Sequence, residues 1–186
     1  MALTFEPTAI PAVVLVKPHT IGDSRGWFRE TFKAEAYAEV GIGDRFIQDN
    51  ASHSAKGVLR GLHFQRAPHA QGKLVSVMHG EVFDVAVDLR EGSPTFAKWV
   101  GEYLSAGNGH QLWIPEGFAH GFCVTSDSAT LSYKVTSFYD APSDGGVRWN
   151  DTTLGIDWPV SAPVLSPKDE VQPMLAEAAH GFVFAD

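Results

Sequence analysis

An all-β fold, a double-sheet jelly roll or small barrel, follows from three features of the sequence. Turn residues recur at short intervals, with 18 glycines and 11 prolines spread over 186 positions, so the chain is cut into many short segments. Most of those segments alternate apolar and polar residues or run apolar, as half-buried and buried strands do. Helix-forming composition is confined to one short stretch. Hydrophobic residues make up 44% of the chain, enough for one sizeable core, so residues 1–186 are expected to form a single jelly-roll domain.

The first strand is expected over residues 12–17, where Ala12-Val13-Val14-Leu15-Val16 runs apolar. A second, over residues 26–32, follows the turn signal Gly22-Asp23-Ser24-Arg25. Residues 33–40 are rich in Ala and Glu and suit about two helical turns. Gly41-Ile42-Gly43-Asp44 reads as a turn, with a strand after it over residues 45–50. Extended segments then follow between turn signals at 58–65, 73–79, 81–89, 98–104, 110–114, 117–124 and 130–136. In such a fold the inward residues alternate with outward ones, and the interior can hold a ligand.

Composition excludes several classes. The apolar run near the start is far too short to cross a bilayer, and Met1-Ala2-Leu3-Thr4 lacks the basic flank of a secretory signal, so a cytoplasmic protein is expected. The lone cysteine, Cys123, has no disulfide partner in the chain and offers no thiolate cluster for zinc, which leaves it as a small buried hydrophobe. Lys plus Arg number 14 against 22 Asp plus Glu, and the net charge of -8 opposes nucleic acid or an anionic membrane as partner. An anionic ligand would have to find a local basic cluster.

Alternation sorts the polar residues within the strands. Lys73 shares a face with Val75 and Val77, His120 with Phe118, Phe122 and Val124, and Tyr133 with Leu131 and Val135. Asp84 falls with Val82 and Ala86, although Phe83, Val85, Val87 and Leu89 make the more apolar face of that strand. Burying such groups unpaired costs several kcal/mol, so they should pair with one another or meet a polar ligand. His120 with Asp84 is the expected pair, lining a polar cavity.

Val58-Leu59-Arg60-Gly61-Leu62-His63-Phe64-Gln65 puts an arginine and a histidine into an otherwise apolar strand. A neutral imidazole suits a general base near pH 7, whereas an isolated strand histidine is more often a core residue satisfied by a carbonyl. Strict alternation places Arg60 and His63 on opposite faces, unless Gly61 marks a bulge that re-aims one of them. No glycine-rich phosphate loop is present, so phosphate binding falls to side chains, with Arg25, Arg60, Lys73 and Lys168 as candidates.

Leu112-Trp113-Ile114-Pro115-Glu116-Gly117-Phe118-Ala119-His120-Gly121-Phe122 resembles the second motif of the cupin superfamily through Pro115, Gly117 and His120. A metal-binding cupin also needs a first motif with two histidines one residue apart and a glutamate nearby. Here the candidate reads His63-Phe64-Gln65, and His19, His53, His69, His79, His110 and His180 show no ligand spacing, so no metal is expected.

The ordered series Gly22 to Gly26, Gln48-Asp49-Asn50, Val58 to Gln65, Gln71 to Val75, Gly80 to Asp88, Gln111 to Phe122 and Leu165 to Asp169 resembles the dTDP-4-dehydrorhamnose 3,5-epimerase family over most of the chain. The resemblance implies a cupin-like jelly roll (a double-stranded β-helix) that acts as a homodimer without metal or cofactor. It also implies that a dTDP-4-keto-6-deoxyhexose is inverted at C3 and C5 on the way to dTDP-L-rhamnose. By the same resemblance His63 is the base, Asp169 its orienting carboxylate, Lys73 the stabiliser of the enolate-like oxygen and Tyr133 the acid on the opposite face. It implies Arg25, Glu30, Gln48, Asn50, Arg60 and Lys168 as substrate contacts, with Phe28 and Tyr139 stacking on thymine. Asp144 stands where many members carry a glutamate, one methylene longer. Three other readings stay open: a mono-epimerase of a related deoxysugar pathway, a metal-dependent cupin, and a non-catalytic sugar-nucleotide-binding module.

Overall fold

The computed structural model describes residues 3–42 and 46–185. Their core lies between two antiparallel sheets. The first has the spatial order β1 (Leu3–Pro7), β2 (Val14–Pro18), β10 (Gln111–Ile114), β7 (Lys73–His79), β12 (Ser128–Val135) and β5 (Gln48–Ala55). The second runs β13 (Asp144–Gly146), β6 (Leu59–Gln65), β11 (Phe118–Val124), β8 (Glu81–Asp88) and β9 (Trp99–Ser105). Neighbours far apart in sequence, such as β2 beside β10 and β6 beside β11, give the jelly-roll connectivity that the short-strand pattern predicts. β3 (Thr20–Asp23) and β4 (Gly26–Arg29) form a separate hairpin.

Alternation works as expected where strands are buried. β7 sends Val75 and Val77, and β12 sends Leu131, into the space between the sheets, against Phe118, Phe122 and Val124 of β11. β8 has no solvent face: Val82 and Ala86 enter this core, while Phe83, Val85 and Val87 pack outward against Trp158, Leu175 and Phe182. That second layer explains why the face of β8 opposite Asp84 is the more apolar. It is covered by a largely irregular strap beyond residue 146, pinned by the parallel bridges Val58 to Val164 and Glu91 to Val183. Cys123 lies in the same layer, 1% exposed, and burial pushes its thiol up to about 11.

Four expectations about elements are corrected. β1, β3 and β13 lie outside the expected strands; β1 is a short edge strand whose Leu3-Thr4-Phe5-Glu6 alternates apolar and polar residues, and β13 is three residues long. β5 runs on to Ala55 through Asn50-Ala51-Ser52-His53-Ser54, a polar stretch held by its ladder with β12 rather than by an apolar face. The helix over 33–40 shrinks to α1 (Ala34–Ala38), because Lys33 provides no side-chain cap and only Tyr37 is buried. A second helix, α2 (Pro167–Glu170), is too short to be read from periodicity. The expected turn at Gly43-Asp44 and the strand start at Arg45 fall outside the described residues.

Gly61 shapes the strand that carries the histidine. His63 pairs with His120 and Arg60 with Phe122, so Gly61 and Leu62 together oppose Gly121 alone, a β-bulge. His120 and Phe122 both face the inter-sheet core, and the bulge therefore turns Arg60 and His63 to that same side. Only glycine fits: φ is +117°, and a Cβ would lie 2.6 Å from Gly121 Cα.

Candidate functional site

A cavity of about 230 Å³ opens between the sheets. β6 supplies His63 from one sheet, while β7, β12 and β5 supply Lys73, Tyr133, Gln48 and Asn50 from the other. Tyr139, Asp144 and Lys168 close its mouth. The bulge at Gly61 and the alternation of β7 and β12 thus bring side chains from distant segments to one space.

His63 Nε2 meets Asp169 Oδ1 at 2.5 Å. The Asp169 side chain is 3% exposed, and its second oxygen accepts from the Ser166 hydroxyl at 2.9 Å. Burial pushes this carboxyl up, but hydrogen bonds from His63, Ser166 and the Gly61 N–H outweigh it and hold the group below the ordinary carboxylate range. Lys73 is half-buried and donates to the His63 carbonyl at 3.5 Å. Burial lowers its pKa to about 8, opposed by the carboxylates of Asp144 and Asp84. Burial raises the Tyr133 phenol above its usual value, with Arg60 pulling the other way, so the phenol keeps its proton at neutral pH. The cavity therefore offers an imidazole backed by a carboxylate, a cation and a protonated phenol.

The remaining expected residues divide into two groups. Gln48 and Asn50 hydrogen-bond each other at 2.9 Å, and the Tyr139 N–H donates to Gln48 Oε1 at 3.1 Å. Asp144, despite its shorter chain, pairs with Lys168 and accepts from the Tyr139 hydroxyl. His120 and Asp84 do pair, at 2.8 Å, but neither lines the cavity: they are 8% and 0% exposed and sit in the inter-sheet core. Arg60 also stays out of the lining, because its guanidinium is tied to Ser54 Oγ at 3.0 Å and to the His53 carbonyl at 3.3 Å.

Arg25, Phe28 and Glu30 do not reach the cavity of their own chain. The β3–β4 hairpin pairs with neither main sheet and carries Arg25 and Phe28 to a separate depression with Ile21 and Trp27. There Arg25 is held by Asp23 at 2.5 Å, and Phe28 is 60% exposed.

Sequence reasoning missed Gln71 and Ser166. Gln71 lines the cavity and donates to the Ser137 carbonyl at 2.7 Å; it precedes β7, where alternation gives no direction. Ser166 had a readable signal, a serine before Pro167 and three residues before an acid, the mark of a helix start. Among the described residues no three His, Cys, Asp or Glu side chains gather as a metal-ligand set. No helix there is long and apolar enough to cross a membrane.

Comparison with known proteins adds an independent line. A family model described as dTDP-4-dehydrorhamnose 3,5-epimerase matches residues 7–177. The chain is similar to the dTDP-4-dehydrorhamnose 3,5-epimerase of Shigella flexneri, with 56% identity over 163 residues, covering 87% of this chain and 90% of that one. A dTDP-4-dehydrorhamnose 3-epimerase of Streptomyces niveus is 41% identical, with 95% and 86% covered. Among solved structures, a dTDP-6-deoxy-D-glucose-3,5-epimerase from Legionella pneumophila, in complex with dTDP-4-keto-L-rhamnose, superposes with a TM-score of 0.91 at 50% identity, covering 95% and 94% of the two chains.

Proposed function

From the membership of this chain in the dTDP-4-dehydrorhamnose 3,5-epimerase family, and so among the isomerases, we propose that it inverts C3 and C5 of the sugar in a dTDP-4-keto-6-deoxyhexose, a step toward dTDP-L-rhamnose. The observation that carries the reading is that His63 and Tyr133, from strands of opposite sheets, line one cavity, with His63 backed by Asp169.

A hydrogen on carbon next to a ketone is acidic because the charge left behind spreads onto the carbonyl oxygen. The ketone is thus its own electron sink, and the scheme uses no metal or cofactor. His63 takes the proton, and the Asp169 carboxylate stabilises the imidazolium that forms. The Lys73 ammonium faces the oxygen that becomes negative at C4. Tyr133 returns a proton from the other side, which inverts the centre. Repetition at the second carbon completes the reaction.

Gln48, Asn50, Lys168 and Tyr139 hold the nucleotide and its diphosphate, with Asp144 orienting the Lys168 ammonium and the Tyr139 hydroxyl. In a chain of net charge -8, Lys73 and Lys168 supply the local positive field that an anionic substrate needs. Arg60 would join them once released from Ser54. Asp84, paired with His120 behind the wall, supports the Lys73 ammonium through its charge.

The working form in this reading is a cytoplasmic homodimer of single-domain chains. The β3–β4 hairpin carries Arg25 and Phe28 away from its own cavity and leaves Trp27 and Phe28 61% and 60% exposed, a surface suited to completing the site of a second copy. Sedimentation should give twice 20.2 kDa; a stable active monomer contradicts this part.

Proton NMR of the dTDP-4-keto sugar in heavy water tests the chemistry. Solvent deuterium should enter at both C3 and C5, and Tyr133→Phe should still exchange but invert poorly. Exchange at one carbon only would make the protein a mono-epimerase. Tight binding with no exchange would make it a binding module.

A further inference from the structure

Asp169 must present one carboxylate oxygen to His63 from a helix of only four residues, 106 positions along the chain. A helix that short has little rigidity of its own, and the terminal torsion of an aspartate is broad. Something else must fix the carboxylate.

Ser166 is the N-cap of α2, extended at φ -79° and ψ 155°. Its hydroxyl oxygen accepts from the Asp169 N–H at 3.2 Å and donates to Asp169 Oδ2 at 2.9 Å, while Oδ1 meets His63 at 2.5 Å. In the usual capping box the acid three residues in reaches back to the N-cap N–H. Here it is turned onto the serine hydroxyl and the imidazole. A hydroxyl has one donor and can accept at the same time, so this group caps the helix and, beside the Gly61 N–H, restrains rotation of the carboxylate.

We propose that Ser166 is a positioning residue for proton abstraction: its hydroxyl aligns Asp169 with His63, making the base a three-membered chain from serine to carboxylate to imidazole. The proposal rests on the epimerase reading above. It assigns Ser166 no contact with substrate.

The test compares Ser166→Ala, Ser166→Gly and Ser166→Thr in the full-length protein. Glycine caps a helix nearly as well as serine but has no hydroxyl, so it separates capping from positioning. Both Ala and Gly should lower kcat about tenfold, the order expected for a lost hydrogen bond to a charged group, with KM little changed. Thr should restore kcat.

A readout without turnover is the proton resonance of the hydrogen bond between His63 Nε2 and Asp169, which should lie far downfield in the unsubstituted protein, move upfield or broaden in Ser166→Gly, and return in Ser166→Thr. If the unsubstituted protein fails to epimerise, the functional reading falls and this resonance still decides the coupling. A Gly variant with unaltered kcat and His63 resonance, or a Thr variant as impaired as Gly, overturns the proposal.

Discussion

Gly61→Ala tests how the bulge builds the site. At φ +117° a side chain costs about 1–3 kcal/mol in backbone strain. The added Cβ would also sit 2.6 Å from Gly121 Cα and 2.7 Å from the His120 carbonyl oxygen, both backbone atoms, so β6 and β11 must separate at a further cost of about 1–3 kcal/mol. At about 2–4 °C per kcal/mol for a chain of this size, the melting temperature should fall on the order of 10 °C. Separating the two strands disturbs the bulge, and flattening it moves Arg60 and His63 to opposite faces and breaks the contact with Asp169. Deuterium exchange into the keto sugar, measured well below the melting point, should then drop a hundredfold or more, on the order of the loss of an oriented base. Gly57→Ala is the control: φ is +75° there, but nothing lies within 4 Å of the added carbon, so it should cost only about 1 kcal/mol and leave exchange intact. A Gly61→Ala protein that melts within about 2 °C of the parent and exchanges at full rate would refute the argument.

Asp169→Asn keeps the shape but removes the charge that supports the His63 imidazolium; kcat should fall about a hundredfold or more in a steady-state assay. Lys73, with its pKa lowered to about 8, should place an alkaline limb near that pH in kcat/KM, since only the ammonium can stabilise the oxyanion; Lys73→Met should lose both the limb and most of the activity. The sign for stability is opposite: between about 8 and the ordinary lysine value of 10.5 the unfolded chain holds the extra proton, so this group's contribution to stability rises with pH in that window, which Lys73→Met should abolish in denaturant titrations. Asp88 is fully buried and accepts from Arg90, Ser93 and Thr95, with its pKa lowered to about 2. Asp88→Ala should cost about 3 kcal/mol at pH 7 by thermal melting, with the difference shrinking as pH falls from about 4 toward 2 and the wild-type carboxylate takes up its proton.

Much of the site was legible before any coordinates because a strand imposes a period of two on its neighbours. Lys73, Tyr133, His120 and Asp84 each share a face with valines or leucines, and each turns inward. That pattern is local, written within seven or eight residues. The ordered motifs likewise sufficed for the family.

Other features depend on partners that no local window contains. Whether Arg60 and His63 share a face is decided by Gly121 and His120 across the ladder, where one residue opposes two. The His63 to Asp169 contact spans 106 positions, and while the Ser166 to Asp169 spacing marks a helix start, nothing in it shows that the carboxylate meets His63. The polar second half of β5 is a strand only because β12 lies beside it. The hairpin carries Arg25 and Phe28 away from the cavity because its strands pair only with each other among the described residues. The sequence by itself therefore determined the fold class, the family and the direction of most buried polar side chains, since these follow from short-range periodicity and ordered motifs. The tertiary structure alone decided which of those side chains meet, since register, bulges and chain crossings are set by contacts between segments far apart in sequence.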